Sequence, residues 1–178
     1  MKNISFLMLC SLFCGSVFSQ DIIISGQKGN RPLTWADFTG KPDTQSSFEA
    51  NTWWNIKYGF KGVTFKGDTV LLQGMNIVLE LSGQQSWVKK GFETDALLRH
   101  EQGHFDIGRL CAAALKKAFD TAYISSSNYK TKPAEIFKAV LQSYHDMGVQ
   151  YDNETDHSKN KAEQLRWETL LNAKLKGA

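Results

Sequence analysis

The run His100-Glu101-Gln102-Gly103-His104 sets two imidazoles four residues apart, with a carboxylate beside the first. On an α-helix, positions i and i+4 lie one above the other on the same face, so both rings can be offered to a single ion. Zinc accepts imidazole nitrogen at roughly 2.0–2.1 Å, and in catalytic sites it takes three protein ligands and leaves a position for water. Glu101 lies about 100° further round the helix, where it reaches the water rather than the ion. Zinc lowers the pKa of such a water toward about 7, and a carboxylate in that place takes its proton as the water attacks a carbonyl. Only four histidines occur among the 178 residues. A chance occurrence of the pattern is then on the order of one per cent, and two unrelated helix histidines beside a solvated glutamate become the weaker reading.

A catalytic centre needs a third ligand, and His157 is the first choice. It follows the acidic stretch Tyr151-Asp152-Asn153-Glu154-Thr155-Asp156 and precedes or opens the last helical segment, which can return antiparallel to the motif helix. His145, at the end of the second helix, is the rival. Asp152, Glu154 and Asp156 carry carboxylates of the kind that serve in other zinc sites, although turn and capping chemistry accounts for most of such a stretch. Tyr151 is a candidate catalytic residue whose hydroxyl would reach a developing oxyanion; the competing role is an aromatic anchor. Asp106, two positions past His104, points off the His100/His104 line. It either orients a ligand imidazole from behind or pairs with Arg99 or Arg109. Gly103 costs about 1 kcal/mol relative to alanine inside a helix, which close approach of another backbone, such as a strand, would explain. Cys111, among Leu110 and Ala112 to Ala114, reads as a small buried apolar residue.

These side chains need a helix to hold them, and the second half of the chain supplies the pattern. Thr94 suits an N-cap with Asp95 in the first turn. Leu97, His100, His104, Ile107 and Cys111 recur at steps of three and four, predicting a helix to about Tyr123. Pro133 suits the first turn of a second helix, with its apolar stripe at Phe137, Val140, Leu141 and Tyr144 and an end at Met147-Gly148. A third helix is predicted from about Ser158, with Leu165, Leu170 and Leu171 facing inward. The first half alternates instead. Phe48 to Phe60 reads as one strand of period two. Val63–Lys66, Thr69–Leu72 and Asn76–Ser82 are shorter strands, with Gly67-Asp68 a turn between the first two. The stretch 26–43, rich in Gly and Pro, reads as loop anchored by Leu33, Trp35 and Phe38. The expected fold is therefore α+β: a small N-terminal antiparallel sheet followed by a helical half carrying the motif helix.

Met1 to Ser19 has the layout of a secretory signal peptide: Lys2, then an apolar run from Ile4 to Phe18, with cleavage expected near Ser19/Gln20. Residues 20–178 then form a single domain, secreted or periplasmic, with no integral membrane segment once the leader is removed. Cys10 and Cys14 fall in the leader, which leaves Cys111 alone and no disulfide framework. A net charge of +3 with scattered basic residues argues against a nucleic-acid partner.

The segment His100-Glu101-Gln102-Gly103-His104-Phe105-Asp106, with Tyr151-Asp152-x-x-Thr155-x-His157 downstream, resembles a bacterial family catalogued as domain of unknown function 922. That family is described as secreted, zincin-like, zinc-dependent proteases predicted from sequence. Leu33-Thr34-Trp35-x-Asp37-Phe38 resembles it too, so the likeness spans most of the chain after the leader. It implies His100 and His104 as ligands and Glu101 as the general base, and it supports His157 as third ligand. Where the family carries glycine after the last histidine, this chain has Ser158. The expected activity is zinc-dependent hydrolysis of a peptide or protein substrate. The alternative is a non-catalytic envelope protein with a structural or vestigial zinc. A weaker third reading has Trp53, Trp54 and Trp87 binding carbohydrate or peptide, though core packing is the commoner use of such residues.

Overall fold

A computed structural model describes residues 19–177. The signal peptide expected over residues 1–19 thus lies, all but its last residue, outside the described residues. The chain is α+β, strands first and helices after. The strands are β1 (Ser19–Ile24), β2 (Gln27–Lys28), β3 (Ala50–Asn51), β4 (Trp54–Gly59), β5 (Gly62–Lys66), β6 (Thr69–Gln73), β7 (Asn76–Leu81) and β8 (Trp87–Val88). The helices are α1 (Asp95–Thr121), α2 (Lys132–Thr155) and α3 (Lys161–Lys176).

Sheet order is β2-β1-β7-β4, with β3–β8 and β5–β6 as separate pairs. β4 pairs antiparallel with β7, and β5 with β6 across the Gly67 turn, where φ is +61°. β1 is a strand that the sequence pattern does not announce. It joins parallel to β7, in register from Ser19↔Asn76 to Ile24↔Leu81, so the main sheet is mixed. A parallel neighbour needs a long crossover, and β2 to β6 occupy it.

The alternation read over Phe48–Phe60 is divided between two strands. β3 pairs with β8 and β4 with β7, so the chain changes partner at Thr52 and Trp53. Phe48 and Phe60, at the ends of the pattern, lie outside the strands and are exposed. Ile77, Leu79 and Leu81 of β7 are buried toward the helices. Gly108 of α1 is where that face meets the helix, since a Cβ there would come within 2.9 Å of Trp54 Cδ2 and 3.1 Å of Leu79 Cδ1.

α1 begins as the sequence predicts, with Thr94 Oγ1 accepting from Leu97 N at 3.2 Å. Its buried residues go nearly all the way round, because the sheet covers one side and α2 and α3 the others. Pro133 sits in the first turn of α2. That helix does not stop at Met147-Gly148 but continues two more turns to Thr155, so Tyr151 and Asp152 are helical rather than in a loop. Helical spacing puts Tyr144, Met147 and Tyr151 on the face toward α1 and α3, and this packing carries the helix through Gly148.

α3 starts at an Asn160 cap rather than near Ser158. It turns Gln164, Trp167 and Leu171 inward at three- and four-residue steps. Leu165, expected inside, lies about 100° round from Gln164 and is 65 % exposed. Leu170 is partly buried as expected.

Candidate metal centre

α1 presents His100 and His104 on one face, and their Nε2 atoms lie 3.3 Å apart. The last turns of α2 cross that face. Asp152 Oδ1 lies 3.1 Å from His100 Nε2 and 2.9 Å from His104 Nε2. Just beyond α2 the chain runs through Asp156, His157 and Ser158 at φ +45°, +49° and +78°. This left-handed passage is held by the backbone N–H groups of Asp156 and His157, both donating to the Asp152 carbonyl. It returns the His157 ring to 3.4 Å from Asp152 Oδ1, measured at Nδ1. His100, Asp152 and His157 each bring one ligand atom within 4.8 Å of the others, a cluster capable of holding a metal ion. Phe48 packs on the outer side of His157, ring centroids 4.6 Å apart.

The hydrogen-bond partners behind His100 set its tautomer. Gln164 Nε2 donates to the Glu168 carboxylate at 3.1 Å, which can only accept. Gln164 Oε1 therefore faces His100 Nδ1 at 3.1 Å, and Nδ1 must carry the proton. His100 Nε2 is left facing Asp152 Oδ1 and His104 Nε2. A cation bound among these atoms would take the place of the proton they share, and an imidazole whose far nitrogen is tied to an acceptor is how ligating histidines are held. Three imidazoles and one carboxylate are donors that zinc accepts, so the residues fit such an ion.

The electrostatics follow from the same contacts. Burial works to raise the Asp152 carboxyl, but the His100 and His104 imidazoles outweigh it and hold the group well below the usual carboxylate range. Burial works to lower His104. The Asp152 carboxylate, with Glu101 further off, reverses that and raises it above the ordinary histidine value.

Glu101 is 3 % exposed, and its Oε2 accepts from Thr52 Oγ1 at 2.6 Å. Thr52 stands at the break between β3 and β4. Both the Glu101 and His104 side chains line a cavity of about 500 Å³. Its other walls include the segment Ser47–Ile56 and the α2 residues Leu141, Tyr144, His145 and Val149. His145, the rival ligand, lies outside the cluster and stacks on Trp54 at 5.8 Å. Trp53, half exposed, and Trp54, partly buried, also line the cavity; Trp87 is partly buried elsewhere.

Tyr151 is fully buried and is not a cavity wall. Its hydroxyl donates to the His100 carbonyl at 3.1 Å and accepts from Gln164 Nε2 at 2.9 Å. Its ring stacks on His100 at 4.7 Å, and burial raises its pKa. The close approach that Gly103 permits comes from this phenol on α2, not from a strand: a Cβ would lie 2.3 Å from Tyr151 Oη.

Asp106 pairs with Arg109 at 2.9 Å and accepts from Gln102, so it orients no imidazole. Gln102 in turn accepts from Leu33 N at 2.7 Å, which ties the Leu33–Phe38 segment to the motif helix. Within that segment Asp37 is buried and accepts from Ser25, Arg31 and Thr34. Of the other acidic residues, Glu154 accepts from Arg166 and Trp167 of α3, and Asp156 caps α2. Cys111 is fully buried, which raises its thiol to about 12, consistent with an inert packing residue.

Gln164 and Thr52 are site residues that no sequence motif marks. Each carried a weak signal, a polar residue on an otherwise apolar stripe: Gln164 with Trp167 and Leu171, Thr52 with Ala50 and Trp54.

Among the described residues no helix is long and apolar enough to cross a membrane. No curated protein and no solved structure matches the chain. A family model does, over residues 25–158, which include β2 to β8, α1, α2 and the His157 turn. The motif helix, the end of α2 that carries Asp152 and the Leu33–Phe38 segment all fall inside that match, and the chain belongs to the family described as bacterial protein of unknown function (DUF922).

Proposed function

We propose that the protein is a zinc-dependent hydrolase that cleaves peptide bonds, acting after export to the periplasm or the medium. The observation that supports this reading is that His100, Asp152 and His157 bring ligand atoms within 4.8 Å of one another, with His104 Nε2 3.3 Å from His100 Nε2, at a cavity that Glu101 also lines. Bound there, zinc would polarise a substrate carbonyl and acidify water.

The rest falls to the chain's own residues. Glu101 acts as general base, and Thr52 holds one of its oxygens so that the carboxylate has a fixed direction. Gln164 keeps the proton on His100 Nδ1, so that Nε2 is free to ligate. Tyr151 is a positioning residue in this reading, since its stacked ring and committed hydroxyl hold His100 from behind in place of reaching a substrate. A cavity of about 500 Å³ falls in the range of roughly 300–1,000 Å³ that ligand sites occupy. Its wall includes β4, an edge strand of the main sheet, which offers backbone along which a peptide can lie. The N-terminal run with Lys2 and an apolar stretch supports export.

The test is metal analysis of the purified protein, followed by cleavage of a mixed peptide library with and without a chelator. One zinc per chain and chelator-sensitive cleavage are expected. Glu101→Gln should lower cleavage by about 10²–10⁴-fold while sparing bound zinc. Full activity in that variant would remove Glu101 as the base. A second reading, a non-catalytic zinc protein, draws on the carboxylate donor Asp152 standing among the imidazoles. It predicts stoichiometric zinc, no cleavage, and a fold that His104→Ala destabilises.

A further inference from the structure

Three glycines lie inside helices among the described residues: Gly103 and Gly108 in α1 and Gly148 in α2. At Gly103 the room a Cβ would need is taken by Tyr151, and at Gly108 by Trp54 and Leu79. Gly148 differs. A Cβ there would meet nothing packed against it within 4 Å. Its backbone is ordinary helix, so no left-handed turn calls for glycine either. Glycine nonetheless weakens a helix interior relative to alanine. What Gly148 does face is the cavity, which it lines together with Leu141, Tyr144, His145 and Val149. We propose that the room left at Gly148 is a subsite for a bulky apolar side chain, of the size of leucine or phenylalanine, on a residue next to the peptide bond that is cut. This rests on the hydrolase reading above and names its substrate class.

Position supports the assignment. Asp152, four residues on, lies one helical turn away, about 6 Å along the axis. Its carboxylate stands against His100, His104 and His157. Successive residues of an extended peptide are about 3.3 Å apart. A side chain that fills the space at Gly148 while a carbonyl sits at the metal cluster therefore belongs to an adjoining residue, not to one several places away.

The walls give its character. The stretch of α2 that lines the cavity from Leu141 to Val149 carries one imidazole and no acidic or basic group. That imidazole, His145, is stacked on Trp54. Ile107, Trp54 and Tyr144 pack in one apolar cluster and line the cavity as well. Its charged residues, Glu49, Glu101, Asp152 and Lys159, come from the start of β3, from α1 and from the end of α2 onward. Eight large apolar side chains are exposed among the described residues, and three of them, Phe48, Trp53 and Val149, line this one cavity. An apolar group seated there removes such surface from water, which a polar group would not exploit.

Gly148→Ala adds one methyl group to this space. It should raise the melting temperature of the metal-free protein, because the helix gains and nothing is displaced. A peptide series that varies the two residues flanking the cut should show, in the wild type, preference for phenylalanine and leucine over glycine and alanine at one of them. In Gly148→Ala, kcat/KM for the phenylalanine and leucine peptides should fall by about tenfold or more, the scale on which a hydrophobic pocket registers one methylene, while the glycine and alanine peptides change by less than about twofold. A wild type indifferent to side-chain size overturns the inference, as does a variant that loses both sets alike or neither. A lowered melting temperature overturns it too, since the protein itself would then occupy the space.

Binding separates this inference from the hydrolase reading. Phenylalanine hydroxamate and glycine hydroxamate share a zinc-chelating group and differ in the side chain alone. Titrated into the zinc-loaded wild type, the first should bind about tenfold or more tightly than the second, and in Gly148→Ala the two should be nearly equal. That preference without any peptide cleavage leaves the subsite standing and ends the hydrolase. Glu101-dependent cleavage with no preference for bulky side chains leaves the hydrolase standing alone. A protein that binds neither zinc nor either hydroxamate ends both.

Discussion

Gly103→Ala sets two known magnitudes against each other inside the motif helix. Alanine gains about 1 kcal/mol over glycine in a helix interior, so an uncrowded site would be stabilised. Here the added Cβ would lie 2.3 Å from Tyr151 Oη, 2.6 Å from Cζ and 3.0 Å from Cε1. The phenol has nowhere to go, being fully buried, stacked on His100 at 4.7 Å and edge-on to Trp167 at 5.3 Å. Overpacking of this kind costs about 1–3 kcal/mol, and displacing the hydroxyl from the His100 carbonyl adds about 1–2 kcal/mol. Net destabilisation should be about 1–4 kcal/mol after the propensity gain is taken off. Urea unfolding of the metal-free protein measures it, as a lower midpoint at unchanged slope. In a Tyr151→Leu background the same substitution should become neutral or stabilise by about 1 kcal/mol, a coupling of about 3 kcal/mol. Gly103→Ala as stable as wild type would refute the claim that the α1–α2 contact at Tyr151 sets the residue at 103.

Gln164→Leu should retain the fold and weaken zinc binding by about 10–100-fold, read by competition with a chromogenic chelator; unchanged affinity would deny Gln164 its hold on His100. Ser158→Gly should stabilise by about 1 kcal/mol, because Ser158 sits at φ +78° where only glycine is unstrained; a lower thermal midpoint would contradict this. In metal-free protein the raised His104 pKa contributes stability below the unfolded value of about 6.5, lost as pH rises through the folded value. The lowered Asp152 pKa contributes above its unfolded value of about 3.9, lost as pH falls through the folded value. The melting temperature in chelator should therefore peak between about pH 4 and 6.5, and Asp152→Asn should flatten both limbs; superimposable profiles would rule the pairing out.

Read from the residues alone, the motif helix, its Thr94 cap, the Pro133 start of α2 and the strands-then-helices order were all legible, because each depends on local spacing and local hydrogen bonds. Where packing competes with a local signal, the local signal misleads. Gly148 reads as a helix end, yet burial of Tyr144, Met147 and Tyr151 carries α2 past it. Phe48–Phe60 reads as one strand, yet it serves two partners. Leu165 reads as core, yet the face of α3 that meets α1 is fixed by Gln164, Trp167 and Leu171.

The sequence by itself determined that His100 and His104 share a helix face with Glu101 beside them, since four residues make one turn whatever surrounds it. Only the tertiary structure decided what completes the group. Whether His145 or His157 joins it depends on where α2 ends and on three left-handed residues after it. The place of Asp152 beside His100 and His104, Gln164 behind His100 and Thr52 on Glu101 depend on contacts between residues 48 to 64 positions apart, which no local pattern encodes.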